Sequence, residues 1–440
     1  MRGLLLFVVI LGSLPYCLSR PWIGVLVFSW ISYMNPHRYA WGPIRTFPVA
    51  LVVALVTIIG LALTQDRSRL TRDTATVLLV ALWTLFTFTT FFAFNPNWAQ
   101  YELTQVSKIL LMTFVTLMLI NNPAKLRYLL LVIALSVGLV GLKGGIWAIA
   151  SGGANRVYGP EGSFLFDNND VALAMNMTLP LLLFLSKDEP HSWIRWLLRA
   201  CFGMSVVAII FTYSRGGFVT MVFVGFMLLV KAKYKSIAVI ALLIGLLAVM
   251  PLIPQKWSDR MDTISHGEED RSAHGRINAW RTGLNIALDR PLVGGGFKTW
   301  TPQVFARYSP EPGNVRDVHS NYFEMLAEQG FIGLALYLML LGHCLWSLSN
   351  LKSKIFGNPA LQWAQYYPDM LQGAILAYMV GGAFLGRAYF DFFYHLVAAT
   401  VILRRLVLNQ LAASRKSPTS ESTPSVFSGR LRPQEHVGLS

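Results

Sequence analysis

Charge is scarce in this chain. Asp, Glu, Lys and Arg together make up 13% of the 440 residues, where a soluble globular protein carries roughly 25%. That shortage excludes a set of ordinary soluble domains and, outside the C-terminal tail, a disordered chain. Cysteine is scarcer still. Cys17, Cys201 and Cys344 each sit inside an apolar run, with no spacing that suggests a disulfide framework or a thiolate metal site. Acidic residues are the minority charge, 22 against 37 Lys and Arg, for a net charge of +15. Such an excess suits nucleic acid, anionic lipid, an acidic substrate or the basic loops of a membrane protein, and its placement decides among them.

What is present is apolar surface: 54% of residues are hydrophobic and mean hydropathy is +0.49. Runs able to cross a bilayer, which takes about 20 residues, are read at 46–64, 76–93, 106–120, 128–150, 170–186, 196–211, 217–230, 236–253, 330–348, 370–386 and 390–408. Residues 3–34 add an apolar stretch interrupted around Pro15 and Pro21. The first 19 residues have a signal-peptide-like basic start, but the apolar pattern resumes at Trp22 and the segment is read as retained. Basic residues gather on alternate connections: Arg67, Arg69 and Arg72; Lys125 and Arg127; Lys187, Arg195 and Arg199; Lys231, Lys233 and Lys235; Lys352 and Lys354. The other short connections carry only Arg38, Arg45, Arg156, Arg215 and Arg387. The positive-inside rule puts the first set in the cytoplasm. With Arg2 also inside, parity predicts twelve crossings with 3–34 as one kinked or partly re-entrant element; thirteen would put the N-terminus outside. The excess charge is then mostly topology, and nucleic acid is not called for.

The expected fold is an all-α polytopic integral membrane protein of about 12 transmembrane helices. Its organisation is 1–253 transmembrane helices with short loops, 254–329 an outer loop, 330–410 the last helices and 411–440 a disordered cytoplasmic tail rich in Ser, Thr and Pro. The outer loop of about 75 residues is too long to be a plain connection. It has helix-like periodicity at 277–288 and 321–328, and it holds nine bases and ten acids. A folded, near-neutral cap is expected there.

Several polar residues sit where this topology brings them to the outer face. Arg215, in Thr212-Tyr213-Ser214-Arg215-Gly216-Gly217, is either a snorkelling helix end or an anion-binding group. Arg276 and Arg281 lie five residues apart, about 140° around a helix, so they do not serve one ligand together. His319, opening Val318-His319-Ser320-Asn321, has the residue type of a general base, and a nearby arginine would keep it neutral. Asp167, Asn169 and Asp170 either cap a helix or line a cation or sugar site. Arg387, Tyr389 and Asp391 form a third polar cluster, expected as an ion pair on the same cavity, with Arg281, Asn321 and Glu328 further candidates for its wall. His266, His274, His343 and His395 lie outside any such cluster and read as structural.

Taken in order, Ser214-Arg215-Gly216, Arg276-x-x-x-Trp280, Pro291-Leu292-Val293-Gly294-Gly295-Gly296, His319-Ser320-Asn321 and Glu328-Gln329-Gly330 resemble the O-antigen ligase and polymerase superfamily over about residues 150–345. Met1-Arg2-Gly3 and Asn35-Pro36-His37-Arg38 also resemble its O-glycosylation ligase branch. The resemblance implies a glycosyltransferase of the bacterial inner membrane whose active site faces the periplasm. Its donor would be a glycan on undecaprenyl diphosphate and its acceptor a hydroxyl of lipid A-core. His319 would be catalytic, and Arg215 and Arg276 would bind the donor diphosphate, with no metal or cofactor. A polymerase or a protein O-glycosylation ligase would share the donor. A transporter or flippase is the rival of another class, which the absence of two related halves in the sequence counts against.

Overall fold

The structure, a computed structural model, describes residues 2–232, 234–236 and 269–416. In chain order the helices are α1 Arg2–Ser19, α2 Pro21–Met34, α3 Val49–Leu63, α4 Thr74–Thr90, α5 Pro96–Leu119, α6 Pro123–Ala150, α7 Asn168–Asp188, α8 Ser192–Phe211, α9 Arg215–Val230, α10 Glu269–Asp289, α11 Pro302–Tyr308, α12 Asn321–Ile355, α13 Tyr367–Gly381 and α14 Asp391–Lys416. Among the described residues there is no strand. Six helices, α5 to α8, α12 and α14, are long and apolar enough to cross a membrane, and α1 to α4 and α9 are shorter apolar helices. The run at 236–253 and most of the expected tail lie outside the described residues, but α14 continues through Lys416, past the expected start of that tail at 411.

Helix boundaries follow local chemistry. Asn95, Asn122, Asp73 and Asp167 accept backbone N–H groups at the starts of α5, α6, α4 and α7, and Pro96 and Pro123 follow the first two. These caps start α5 ten residues before the apolar run at 106. Helix α13 ends at Gly381, short of the expected 386, because Asn321 N–H donates to Gly382 O (2.7 Å) and turns the chain there.

Helix α7 lies at the centre, 89% buried over its apolar window, against α6, α8, α9 and α13. Asn176, fully buried on it, donates to Gly217 O of α9 at 3.0 Å. Where no water competes, such bonds join helices that hydrophobicity alone leaves indifferent to one another. Helices α6 and α8 meet through small residues: a Cβ on Gly141 would fall 2.1 Å from Ser205 Oγ.

Ion pairs tie one end of the bundle. Lys125 pairs with Asp66, Arg127 with Asp188 and Glu189, Lys231 and Lys352 with Asp369, and Arg404 with Asp73. These are the loops the charge pattern put on a common side. Residues 3–34 depart from the single kinked element expected. They fold as a helical hairpin broken at Arg20-Pro21, and Gly3 at the start of α1 packs against Trp41 O in the loop after α2. That loop is joined to the opposite end of the bundle by Arg45–Glu161 (2.7 Å). The start of α1 therefore lies away from the basic end, where the parity expectation had put it; Pro21 cannot donate a helical N–H and ends the first helix.

Candidate functional site

At the end opposite those ion pairs, the starts of α5, α7 and α12 and the connections before α11 and α14 surround a cavity of about 720 Å³. His319 lines it. Two contacts of α10 and α12 place this residue. Trp280 Nε1–H donates to Val318 O (2.9 Å), and its ring stacks on Phe323 at 5.0 Å between centroids. The backbone of His319 is held in the left-handed region, φ 44°, which is costly for a residue with a Cβ. The Trp280 bond fixes the peptide immediately before it. Arg276 lies one helical turn before Trp280 and so shares its face of α10.

The charges of these groups lie close enough to act on one another. Burial depresses the His319 imidazole below its ordinary 6.5; Asp317 opposes the shift and Arg276 adds to it, with Asp167 and Asp170 also opposing. The net direction keeps the ring neutral near pH 7, the state a proton acceptor needs. Arg276 is itself half-buried and held below the usual guanidinium range, first by burial and then by the like charge of Arg215. Two residues 61 positions apart in sequence are thus brought together beside the histidine. Arg215 and Arg276 flank the cavity and are not among the residues lining it. Arg281, expected on the cavity wall, is exposed and does not line it.

Ser214 caps α9, its Oγ accepting from Gly217 N–H (3.0 Å) and donating to Asn169 Oδ1 (2.7 Å). The start of the Arg215 helix is thereby tied to the start of α7. Asp167 caps α7 by accepting from Asn169 N–H (2.8 Å), and both residues also line the cavity, so the capping and lining roles coexist.

The expected pairing of Arg387 with Asp391 is corrected. Arg387 makes a bidentate pair with Asp170, with Nε at 2.6 Å from Oδ1 and Nη2 on Oδ2. A turn, Phe390 N–H to Arg387 O, separates Arg387 from Asp391, whose Oδ1 is buried with no hydrogen-bond partner among the described residues. Asp391 does not line the cavity. Tyr389 instead donates to Glu328 Oε2 (2.8 Å). Asn321, expected on the cavity wall, does not line it: its Oδ1 accepts from Arg387 N–H at 2.5 Å, and it is 1% exposed.

The glycine run and the Glu-Gln-Gly segment interlock. Gly295 and Gly296 N–H donate to the carbonyls of Ala327 and Glu328, Phe331 N–H donates to Pro291 O, and Lys298 N–H donates to Glu328 Oε1. Gly330 breaks α12 with φ 68° and ψ −170°, and a Cβ there would lie 2.6 Å from Pro291 O. This packing delivers Lys298 and Trp300 to the cavity. Burial works against the Lys298 ammonium, but Glu102, Glu328 and Glu324 together hold it above its ordinary range.

Trp98, Lys298, Trp300, Arg316, Asp317 and Glu324 line the cavity and were not singled out in the sequence. Trp98 lies on the cap-driven extension of α5, and its signal was the Asn95-Pro96 start; Glu324 is one turn before Glu328 on one helix face. Of the four histidines expected to be structural, His274 pairs with Glu311, His343 lies near Asp73 and His395 bonds to Tyr33, while His266 lies outside the described residues.

Comparison with known families adds the decisive observation, because the O-antigen ligase family model matches residues 200–338, the segment that carries Arg215, Arg276 and His319. Over this segment, about a third of the chain, the sequence is similar to the O-antigen ligase family. A family of unknown function matches residues 1–189. No curated protein matches the chain by sequence. Its apolar helices and its O-antigen ligase domain make it a multi-pass membrane protein of ligase or polymerase type.

Proposed function

We propose that this protein is a bacterial inner-membrane glycosyltransferase that moves a glycan from undecaprenyl diphosphate to a hydroxyl of lipid A-core, at the periplasmic face. The supporting observation is the convergence of His319, Arg276 and Arg215: a depressed imidazole on a cavity wall, beside two guanidiniums close enough to act on one another. A paired arginine site suits a multiply charged anion, which a diphosphate is.

In this scheme Arg215 and Arg276 hold the diphosphate, and the acceptor hydroxyl sits in the cavity against His319. The acceptor oxygen bonds to the anomeric carbon as the bond from that carbon to the phosphate oxygen breaks. The electron pair leaves with undecaprenyl diphosphate, and the hydroxyl proton passes to His319 Nδ1 or Nε2. Attack from the side away from the leaving group inverts the anomeric centre. Arginine neutralises the charge developing on the leaving group, worth several kcal/mol in a water-poor site, and a positioned base contributes about 10²- to 10⁴-fold. No step calls on a metal or cofactor.

The test is acceptor choice. The full chain, reconstituted in vesicles with one lipid-linked glycan, is offered lipid A-core, a second lipid-linked glycan and a Ser/Thr peptide in parallel. Product on lipid A-core alone is expected. Chain extension of the second glycan would make the protein a polymerase, and modified peptide a protein O-glycosylation ligase.

A further inference from the structure

The cavity has a chemistry of its own beyond the histidine. Five carboxylates line it, Asp167, Asp170, Asp317, Glu324 and Glu328, against three cations, Lys298, Arg316 and Arg387. Asp170 is engaged by Arg387, and Glu328 by the Lys298 N–H and Tyr389. Asp317 and Glu324 keep acceptor capacity facing the space: Asp317 Oδ1 takes only its neighbour's N–H, and Glu324 Oε2 takes Ala388 N–H. Carboxyl groups match sugar hydroxyls, accepting when ionised and also donating when protonated, and with five of them against three cations the wall offers a phosphate no net positive field.

Two indoles complete the wall. Trp98, on the first turn of α5, is 58% exposed although it stands in a cavity, and Trp300, on the connection before α11, packs at a tilt on Phe305. A large aromatic left open inside a concave site is a contact surface in want of a ligand face. The indole face is negative, and the C–H bonds on one face of a pyranose are weakly positive, so the two stack. At about 720 Å³ the cavity has room for more than one ring.

We propose that Trp98 and Trp300 form the acceptor subsite and that, with the surrounding carboxylates, they select an uncharged saccharide as the terminal acceptor unit. This rests on the transferase reading above, in which the hydroxyl to be deprotonated lies on the side of His319 that faces the cavity. The arginine pair, outside the cavity lining, takes the phosphate-bearing end, so charge is sorted between the two sides of the histidine.

Binding is measured by saturation-transfer NMR on the full chain in nanodiscs, with methyl α-glucoside, methyl β-galactoside, the 6-phosphate of each, and a Ser/Thr peptide as probes. The neutral glycosides are expected to bind and to receive saturation, their phosphates at least about tenfold more weakly. Trp98→Ala and Trp300→Ala should each weaken glycoside binding by about 2- to 10-fold, the size of an aromatic contact. Trp300→Phe, which keeps the packing on Phe305, separates loss of the indole from loss of fold. Phosphorylated glycosides binding as tightly as neutral ones, saturation of the peptide alone, no glycoside binding, or unchanged affinity in both indole variants would each overturn the subsite. Transfer failing while glycoside binding and its Trp98 dependence persist would remove the transferase reading and leave the subsite standing.

Discussion

Replacing Trp280 by Phe removes a single bond and leaves most of the packing in place. The Phe ring still faces Phe323, but the 2.9 Å N–H to Val318 O is gone, and Val318 is fully buried. A buried carbonyl without its donor costs about 1–3 kcal/mol. That energy is comparable to the roughly 1–3 kcal/mol stored in a left-handed non-glycine backbone, so the His319 peptide, at φ 44°, gains freedom to relax. If 1–3 kcal/mol of positioning is lost, transfer slows about 5- to 150-fold, at about 1.4 kcal/mol per decade. Initial rates of the reconstituted enzyme are measured across donor and acceptor concentrations, with thermal unfolding in parallel. The expected result is a fall in kcat with the donor KM within about twofold, because Trp280 touches neither substrate. An unchanged kcat accompanied by a lower melting temperature would show that the bond serves the fold alone and does not aim the imidazole.

Three further outcomes follow from the geometry. Gly330→Ala puts a Cβ 2.6 Å from Pro291 O at φ 68°, and it should cost at least about 2 kcal/mol by the combined strain and clash; an unaltered unfolding midpoint would contradict the interlock. Asp170→Asn should destabilise by about 1–3 kcal/mol, less than a fully buried pair because the Arg387 side chain is 40% exposed. Glu161→Gln, in a pair where both partners are exposed, should change the midpoint little. The pH dependence has a definite sign. His319 acts when neutral, and its pKa is below 6.5, so kcat/KM falls only as pH drops through that depressed value, and the acid limb lies below pH 6.5. Arg276→Ala removes one depressing charge and should move that limb upward while raising the donor KM; a limb above 6.5 in the parent enzyme would refute the neutral-base assignment.

Much of the bundle was legible because apolar length and loop charge are one-dimensional signals: most expected spans became helices within a few residues. Where boundaries moved, a hydrogen bond did the moving: a local cap at Asn95 for α5 and the long-range Asn321–Gly382 bond for α13. The first hairpin was misread because two 14- to 18-residue helices joined at Arg20-Pro21 have the same composition as one kinked helix. At the site, helical geometry alone separated Arg276 from Arg281. It could not place Arg276 within electrostatic reach of Arg215, a proximity that only tertiary packing sets. Arg387 was assigned to its sequence neighbour Asp391, when the partner is Asp170, 217 residues away. The cavity wall was the least legible part, since Trp98, Lys298 and Trp300 are placed by caps and by the glycine interlock, and neither leaves a periodic trace.

The central claim is that His319 takes the acceptor proton, and transfer by His319→Ala and His319→Gln tests it most directly. Each variant is reconstituted with lipid-linked glycan and lipid A-core after its unfolding midpoint has been matched to the parent. Loss of transfer by about 10²- to 10⁴-fold, with donor binding retained, is the predicted result. Folded variants that transfer at the parental rate would contradict it.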